Sequence, residues 1–246
     1  MKKKILIANW KMNIGLKQSL KLYKAYSAKI KVSKNTTLVT LPSAHTISFL
    51  NQIKLKNKSK LGAQNCSQFL EGSYTGEISA KMIKEIGCEY VLLGHSERRH
   101  FFNENKISLK NKIDNAKKNK LNIIFCVGEN LLEYKKKLSK NVIRNQLKNV
   151  FSKSFDFSKI IIAYEPVWAI GTSKTPLLQE INEIHYYIKN FFKKSLNVSN
   201  IMVLYGGSVN KKNSKDIFKL EYVDGGLIGG SSLDANNFAK IYKNLC

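Results

Sequence analysis

The sequence predicts an α/β fold in which eight parallel strands close into a barrel wrapped by helices, a (β/α)8 architecture formed as one domain over residues 1–246. Three observations predict it. Short apolar or β-branched runs recur along the whole chain, stretches of helical periodicity separate them, and the polar residues suited to chemistry follow one strand after another. An open, doubly wound sheet would share the first two features, but it gathers its ligand where the strand order reverses. Polar residues spread this widely converge only if the sheet closes.

Taken in order, the candidate strands are residues 5–8, 37–41, 61–63, 90–93, 123–127, 160–164, 201–205 and 225–228. Between them, Leu16, Leu20, Tyr23 and Ile30, or Ile181, Ile184, Ile188, Phe191 and Phe192, are spaced so that their apolar side chains share one helical face. Strand alternating with helix throughout implies a parallel sheet covered by helices. No Pro/Gly/Ser linker, charge-block break, low-complexity stretch or internal repeat interrupts the alternation, and the length of 246 residues suits one such barrel.

An apolar share of 43% against 24% charged residues predicts a sizeable core. The net charge of +25 is the unusual figure. Its basic residues are almost all lysines scattered over solvated faces, such as Lys117, Lys118 and Lys120, with arginine only at Arg98, Arg99 and Arg144. Nucleic-acid readers use arginine for bidentate contacts within a recognisable module, and neither is present, so no nucleic-acid partner is expected. Cys66, Cys88, Cys126 and Cys246 have no paired or tight spacing, which argues against a zinc site and a disulfide framework and for a reducing cytoplasm. The apolar run 5–8 ends at Asn9 and Lys11, too early for a signal peptide, and no stretch approaches a membrane span.

The suspicious polar residues follow strands one, three, four, six, seven and eight. After the first comes Asn9-Trp10-Lys11, whose amine is suited to holding an anion. After the fourth comes Gly94-His95-Ser96-Glu97-Arg98-Arg99, where a neutral imidazole at a helix start can donate to a substrate oxygen. After the sixth comes Ala163-Tyr164-Glu165-Pro166-Val167-Trp168-Ala169-Ile170-Gly171, a carboxylate followed by a stiffened hinge and an apolar tip. That is what a base beneath a moving cover needs, and Trp168 and Ile170 are placed to exclude water. Gly206-Gly207-Ser208 and Gly229-Gly230-Ser231 follow the last two strands, where paired glycines and a helix starting just beyond suit a phosphate.

In their order and spacing these stretches resemble the triosephosphate isomerase family from Asn9 to Leu233. The resemblance implies the TIM barrel and a cofactor-free, metal-free interconversion of dihydroxyacetone phosphate and glyceraldehyde 3-phosphate through an enediolate, a step of glycolysis and gluconeogenesis. It implies that Glu165 is the catalytic base, His95 the electrophile and Lys11 the electrostatic anchor, with Asn9 facing the substrate. Gly171, Ser208, Gly229 and Gly230 match the phosphate-binding backbone. Ser96, Glu97, Cys126, Trp168 and Tyr205 match supporting positions. Gln64 and Asn65, with Tyr74, Thr75, Gly76 and Glu77, match a loop that plugs into a second subunit, so a homodimer is implied. A different phosphate-binding barrel isomerase would share the Gly-Gly cradle but not the cover or the Gly94-His95-Ser96-Glu97 run.

The sequence departs from the family pattern at Ser173, where the family usually has glycine, and at Pro176. In many relatives an amide at the latter position bonds the closed cover to the tyrosine matched by Tyr205, and proline has no such hydrogen. Around residues 139–150 the helix pattern follows the family loosely, with denser Lys and Asn.

Overall fold

A computed structural model describes residues 3–55, 57–172 and 174–246. Its eight strands are β1 (Lys4–Asn9), β2 (Thr36–Leu41), β3 (Lys60–Ala63), β4 (Tyr90–Leu93), β5 (Asn122–Val127), β6 (Ile160–Tyr164), β7 (Met202–Tyr205) and β8 (Gly225–Ile228). Each pairs in parallel with its sequence neighbours, and β1 pairs with β8 (Ile5 opposite Gly225) to close the ring. Every predicted strand is present, with shifts of a residue or so at some ends.

Side chains alternate across each strand, so one set fills the barrel and the other meets the helices. Ile5 and Ile7, Val39 and Leu41, Leu92, Ile124 and Cys126, Ile161 and Ala163, Leu204 and Leu227 form the inner core. Leu6, Ala8, Leu38, Val91, Leu93, Ile123, Phe125 and Val203 join the outer core with the helices. Each fully buried Leu, Ile or Phe stabilises the fold by roughly 1.5–3 kcal/mol relative to exposure. Because the strands are buried on both faces, their sequences read as continuous apolar runs instead of alternating ones.

The helices are α1 (Leu16–Lys29), α2 (Ile47–Gln52), α3 (Ala80–Glu85), α4 (Ser96–Phe101), α5 (Lys106–Lys118), α6 (Leu131–Lys135), α7 (Ser139–Lys148), α8 (Leu178–Leu196), α9 (Ser214–Lys219) and α10 (Ala235–Leu245). Their boundaries follow local chemistry. Asn105 starts α5 by accepting from the backbone N–H groups of Ile107 and Ser108. Asn197, in the left-handed region at φ 60°, ends α8. On α8 the predicted face, Ile181, Ile184, Ile188, Phe191 and Phe192, is buried.

One expectation is met only in part. A short 3-10 turn, Gly230–Leu233, follows β8 directly, but after β7 the next helix begins only at Ser214. Asn210 and Asn213 account for the delay, since each side-chain oxygen accepts a backbone N–H of the turn and so satisfies it without a helix. Among the described residues no helix is long and apolar enough to cross a membrane.

Candidate active site

The inward parity of β1 and β6 continues past their ends: Ile5 and Ile7 lead to Asn9, and Ile161 and Ala163 lead to Glu165. These side chains therefore emerge over the barrel axis at the carboxyl ends of the strands. There they line a cavity of about 390 Å3 with Lys11, His95, Gly171, Ser208, Gly229 and Gly230. The predicted anchor, imidazole, base and phosphate-facing backbone thus share one space.

Lys11 is held in a costly conformation. Its φ of 51° lies in the left-handed region, which costs a non-glycine residue on the order of 1–3 kcal/mol. Three bonds impose it. The Asn9 Oδ1 accepts from the Lys11 N–H at 3.2 Å, and the Lys11 carbonyl accepts from Gln64 Nε2 at 2.9 Å and from the Ser43 hydroxyl at 3.0 Å. The amine donates to Glu97 Oε1 at 2.6 Å and remains partly exposed. Asn9 thus sets the Lys11 backbone as well as facing the cavity.

His95 caps the start of α4, its Nδ1 accepting from the Glu97 N–H at 3.3 Å. That bond leaves the ring proton on Nε2, which lies 3.1 Å from Glu165 Oε1. The other Glu165 oxygen, Oε2, accepts from the Ser96 N–H at 3.4 Å, and the Cys126 thiol donates to the same carboxylate. Burial raises the Glu165 carboxyl pKa, but His95 with the Cys126 and Ser96 donors outweighs it and sets the net value below the ordinary one. For His95, burial disfavours the cation, and the Glu165 and Glu97 carboxylates raise the ring above its ordinary value despite it. Burial above all, then the Glu165 charge, pushes the Cys126 thiol well up, so it stays a neutral donor. Gly206 is required by this packing, since a Cβ there would fall 2.8 Å from Glu165 Cγ.

The segment after Glu165 folds over the cavity. Pro166 is followed by a 3-10 turn, Val167–Ala169, and Gly171 takes φ 67°. The Trp168 Nε1–H donates to Glu129 Oε1 at 3.2 Å, as does the Tyr164 hydroxyl at 3.1 Å, and the Trp168 ring packs on Tyr134 with centroids 4.3 Å apart. On the other side the Ser208 hydroxyl sits 2.5 Å from the Ala169 carbonyl and 2.6 Å from that of Thr172. Ser208 thereby ties the cover to the loop that follows β7. Pro176 is buried, and among the described residues the Tyr205 hydroxyl has no hydrogen-bond partner. Ser173 lies outside the described residues.

Compared with known proteins, the chain matches the family model described as triosephosphate isomerase over residues 4–245. It belongs to the triosephosphate isomerase family. It is 42% identical to a triosephosphate isomerase of Mesomycoplasma hyopneumoniae (strain 232), over 98% of this chain and 99% of that one. It is 41% identical to one of Phocaeicola vulgatus, over 98% of each. The crystal structure of triosephosphate isomerase from Bartonella henselae superposes with a TM-score of 0.89 at 33% identity, covering 98% of both chains.

Sequence reasoning missed two elements of this triosephosphate isomerase site. Glu129 holds both Trp168 and Tyr164, and its signal was available: it stands just past β5, as Glu165 stands just past β6. Arg99 donates to the Gly94 carbonyl at 2.8 Å and the Cys126 carbonyl at 3.0 Å, joining the ends of β4 and β5. Of the loop resembling a subunit contact, Gln64 and Asn65 turn inward. Gln64 bonds the Lys11 and Leu41 carbonyls, and Asn65 accepts from Lys112. Tyr74, Thr75, Gly76 and Glu77 are exposed, with the Tyr74 and Phe69 rings stacked at 3.7 Å. Among the described residues no three His, Cys, Asp or Glu side chains gather as a metal ion would require.

Proposed function

We propose that Glu165, His95 and Lys11 carry the chemistry of this isomerase on a phosphorylated triose. The reaction follows from family membership: the interconversion of dihydroxyacetone phosphate and glyceraldehyde 3-phosphate, a step of glycolysis. Glu165 takes a proton from the carbon beside the carbonyl and returns it to the neighbouring carbon. His95, through its Nε2–H, and the Lys11 amine stabilise the negative charge that develops on oxygen, at roughly a few kcal/mol per donor. Backbone N–H groups around Gly171, Ser208, Gly229 and Gly230 hold the phosphate, and the cover keeps water from the enediolate.

The observation that carries this reading is the 3.1 Å contact between Glu165 Oε1 and His95 Nε2 inside the cavity that Lys11 also lines. It also bears on the protonation of His95 during the reaction. Once Glu165 has accepted the substrate proton its charge is gone, and with it the chief influence holding the ring's affinity up. Burial and the Glu97 N–H then favour the neutral imidazole, a donor at the moment the oxyanion forms. Glu165→Asp withdraws the carboxylate by about 1 Å and is expected to lower kcat roughly a hundredfold with an unchanged melting transition. Measured in a coupled assay with glyceraldehyde 3-phosphate, unaltered turnover would sink the assignment of the base.

The whole chain acts as one catalytic unit in the cytoplasm, as a homodimer. Its cysteines are free thiols, three of them buried, which suits a reducing compartment. Met12, which lines a groove with Lys11, His95, Gly76 and Glu77, is 95% exposed, and on the same loop as Gly76 the stacked rings of Phe69 and Tyr74 are also exposed. A partner's loop is the cover that this apolar surface calls for. Sedimentation at micromolar concentration is expected to give twice the chain mass of 28.0 kDa; a stable, fully active monomer would refute the dimer.

A further inference from the structure

Glu165 stands between two cavities. Its Oε1 meets His95 in the substrate cavity, whereas its Oε2 meets the Ser96 N–H, and Ser96 and Cys126 line a second cavity of about 290 Å3 that the substrate residues Lys11 and Gly229 do not reach. This rear space runs past Arg99 and Gln146 to the exposed side chains of His100 and Asn130. Glu165 itself is only 2% exposed, and on the front side the Ser208 hydroxyl holds the Ala169 and Thr172 carbonyls of the cover. With substrate filling the front cavity, a proton resting on this carboxyl faces on its other side a roomy space lined by both polar and apolar groups.

We infer that the rear cavity is the route by which the hydrogen held on Glu165 exchanges with solvent while the cover is shut. The inference rests on Glu165 being the base. After taking the substrate proton on the oxygen facing His95, the carboxyl turns half a revolution about Cγ–Cδ, a soft and roughly two-fold torsion. The O–H then donates to rear water. One hydron leaves for that water and one returns from it, so the carboxyl ends in the same state with a different isotope. His100 on the rim controls how readily water enters.

The test runs glyceraldehyde 3-phosphate to dihydroxyacetone phosphate in deuterium oxide, trapping the product by reduction as it forms and reading by NMR the ratio of transferred hydrogen to solvent deuterium. Wild-type product is expected to carry both. His100→Trp, which narrows the rim, is expected to raise the ratio at least about twofold, and His100→Ala to lower it, each with kcat/KM within about twofold of wild type. A wild-type product free of deuterium, a ratio unmoved by either variant, or one moved in the same direction by both overturns the inference. So does a ratio that responds to loosening the front cover with Ser208→Ala while ignoring His100. Failure of the base assignment reads differently, as full turnover in Glu165→Asp.

Discussion

Two lysine–glutamate pairs lie close together in this molecule, Lys11 with Glu97 at the barrel mouth and Lys112 with Glu104 in the helical layer beside it. Lys112 and Glu104 are almost wholly buried. Glu104 Oε1 also takes the Arg98 Nε–H at 3.2 Å, and Lys112 also donates to Asn65 at 2.9 Å, so the pair binds α5, α4 and the 64–79 loop into one block. Lys11 and Glu97 have side chains 26% and 41% exposed, and the Lys11 backbone is strained. An exposed pair of this kind contributes about 0–1 kcal/mol to stability, less than the strain it accompanies. The two pairs have the same chemistry in different settings: a buried, multiply bonded pair holds elements together, while the Lys11 amine is partly solvated, sits on a strained backbone and lines the cavity.

The sharpest way to break this contrast is to empty the buried pair. Glu104→Ala leaves the Lys112 ammonium buried beside Asn65 alone, and about 3–5 kcal/mol of unfolding free energy is expected to disappear in urea titration. Activity per folded molecule should hardly change. Lys11→Met is the converse. It is expected to lower kcat/KM about a hundredfold to a thousandfold, on the order of 2.7–4 kcal/mol of transition-state stabilisation, with little change in the urea midpoint. If Lys11→Met unfolds the protein while Glu104→Ala does not, the contrast is reversed and fails.

A smaller effect sharpens the comparison from a third side, a buried ionisable group without any such partner. His185 on α8 is fully enclosed beside the Tyr164 and Tyr205 rings. Among the described residues neither ring nitrogen makes a well-formed hydrogen bond, although the Tyr222 and Val203 backbones approach it. Burial pulls its pKa from 6.5 to about 3. Between those values the unfolded chain binds the proton and the folded one does not, so stability is complete above the upper value and falls as pH drops through the window. The expected slope is up to about 1.4 kcal/mol per pH unit for this one group. His185→Leu should flatten it; an identical acid dependence in that variant would show that other groups set it.

Much of the site was legible because it depends on short-range pattern. Glu165-Pro166-Val167-Trp168 places a carboxylate and an apolar tip within a few residues, the pattern that suggests a base beneath a cover. Glu129 is equally local, but its partners Tyr164 and Trp168 lie 35 and 39 residues away, so its role shows only in the folded chain. The inward turn of Gln64 and Asn65 was not legible at all. Their amides look like surface chemistry until Lys11 on one side and Lys112 on the other are brought to them.

The sequence by itself determined the alternation of strand and helix, and through side-chain parity it determined that Asn9 and Glu165 point over the barrel axis, since periodicity is a property of neighbouring residues. Only the closed barrel decided which groups meet: Lys11 with Glu97 across 86 residues, Ser96 with Glu165 across 69, and a second cavity behind the same carboxylate. Those contacts, and the shifts in proton affinity they cause, arise from distance and burial, which the ring creates when β8 pairs with β1.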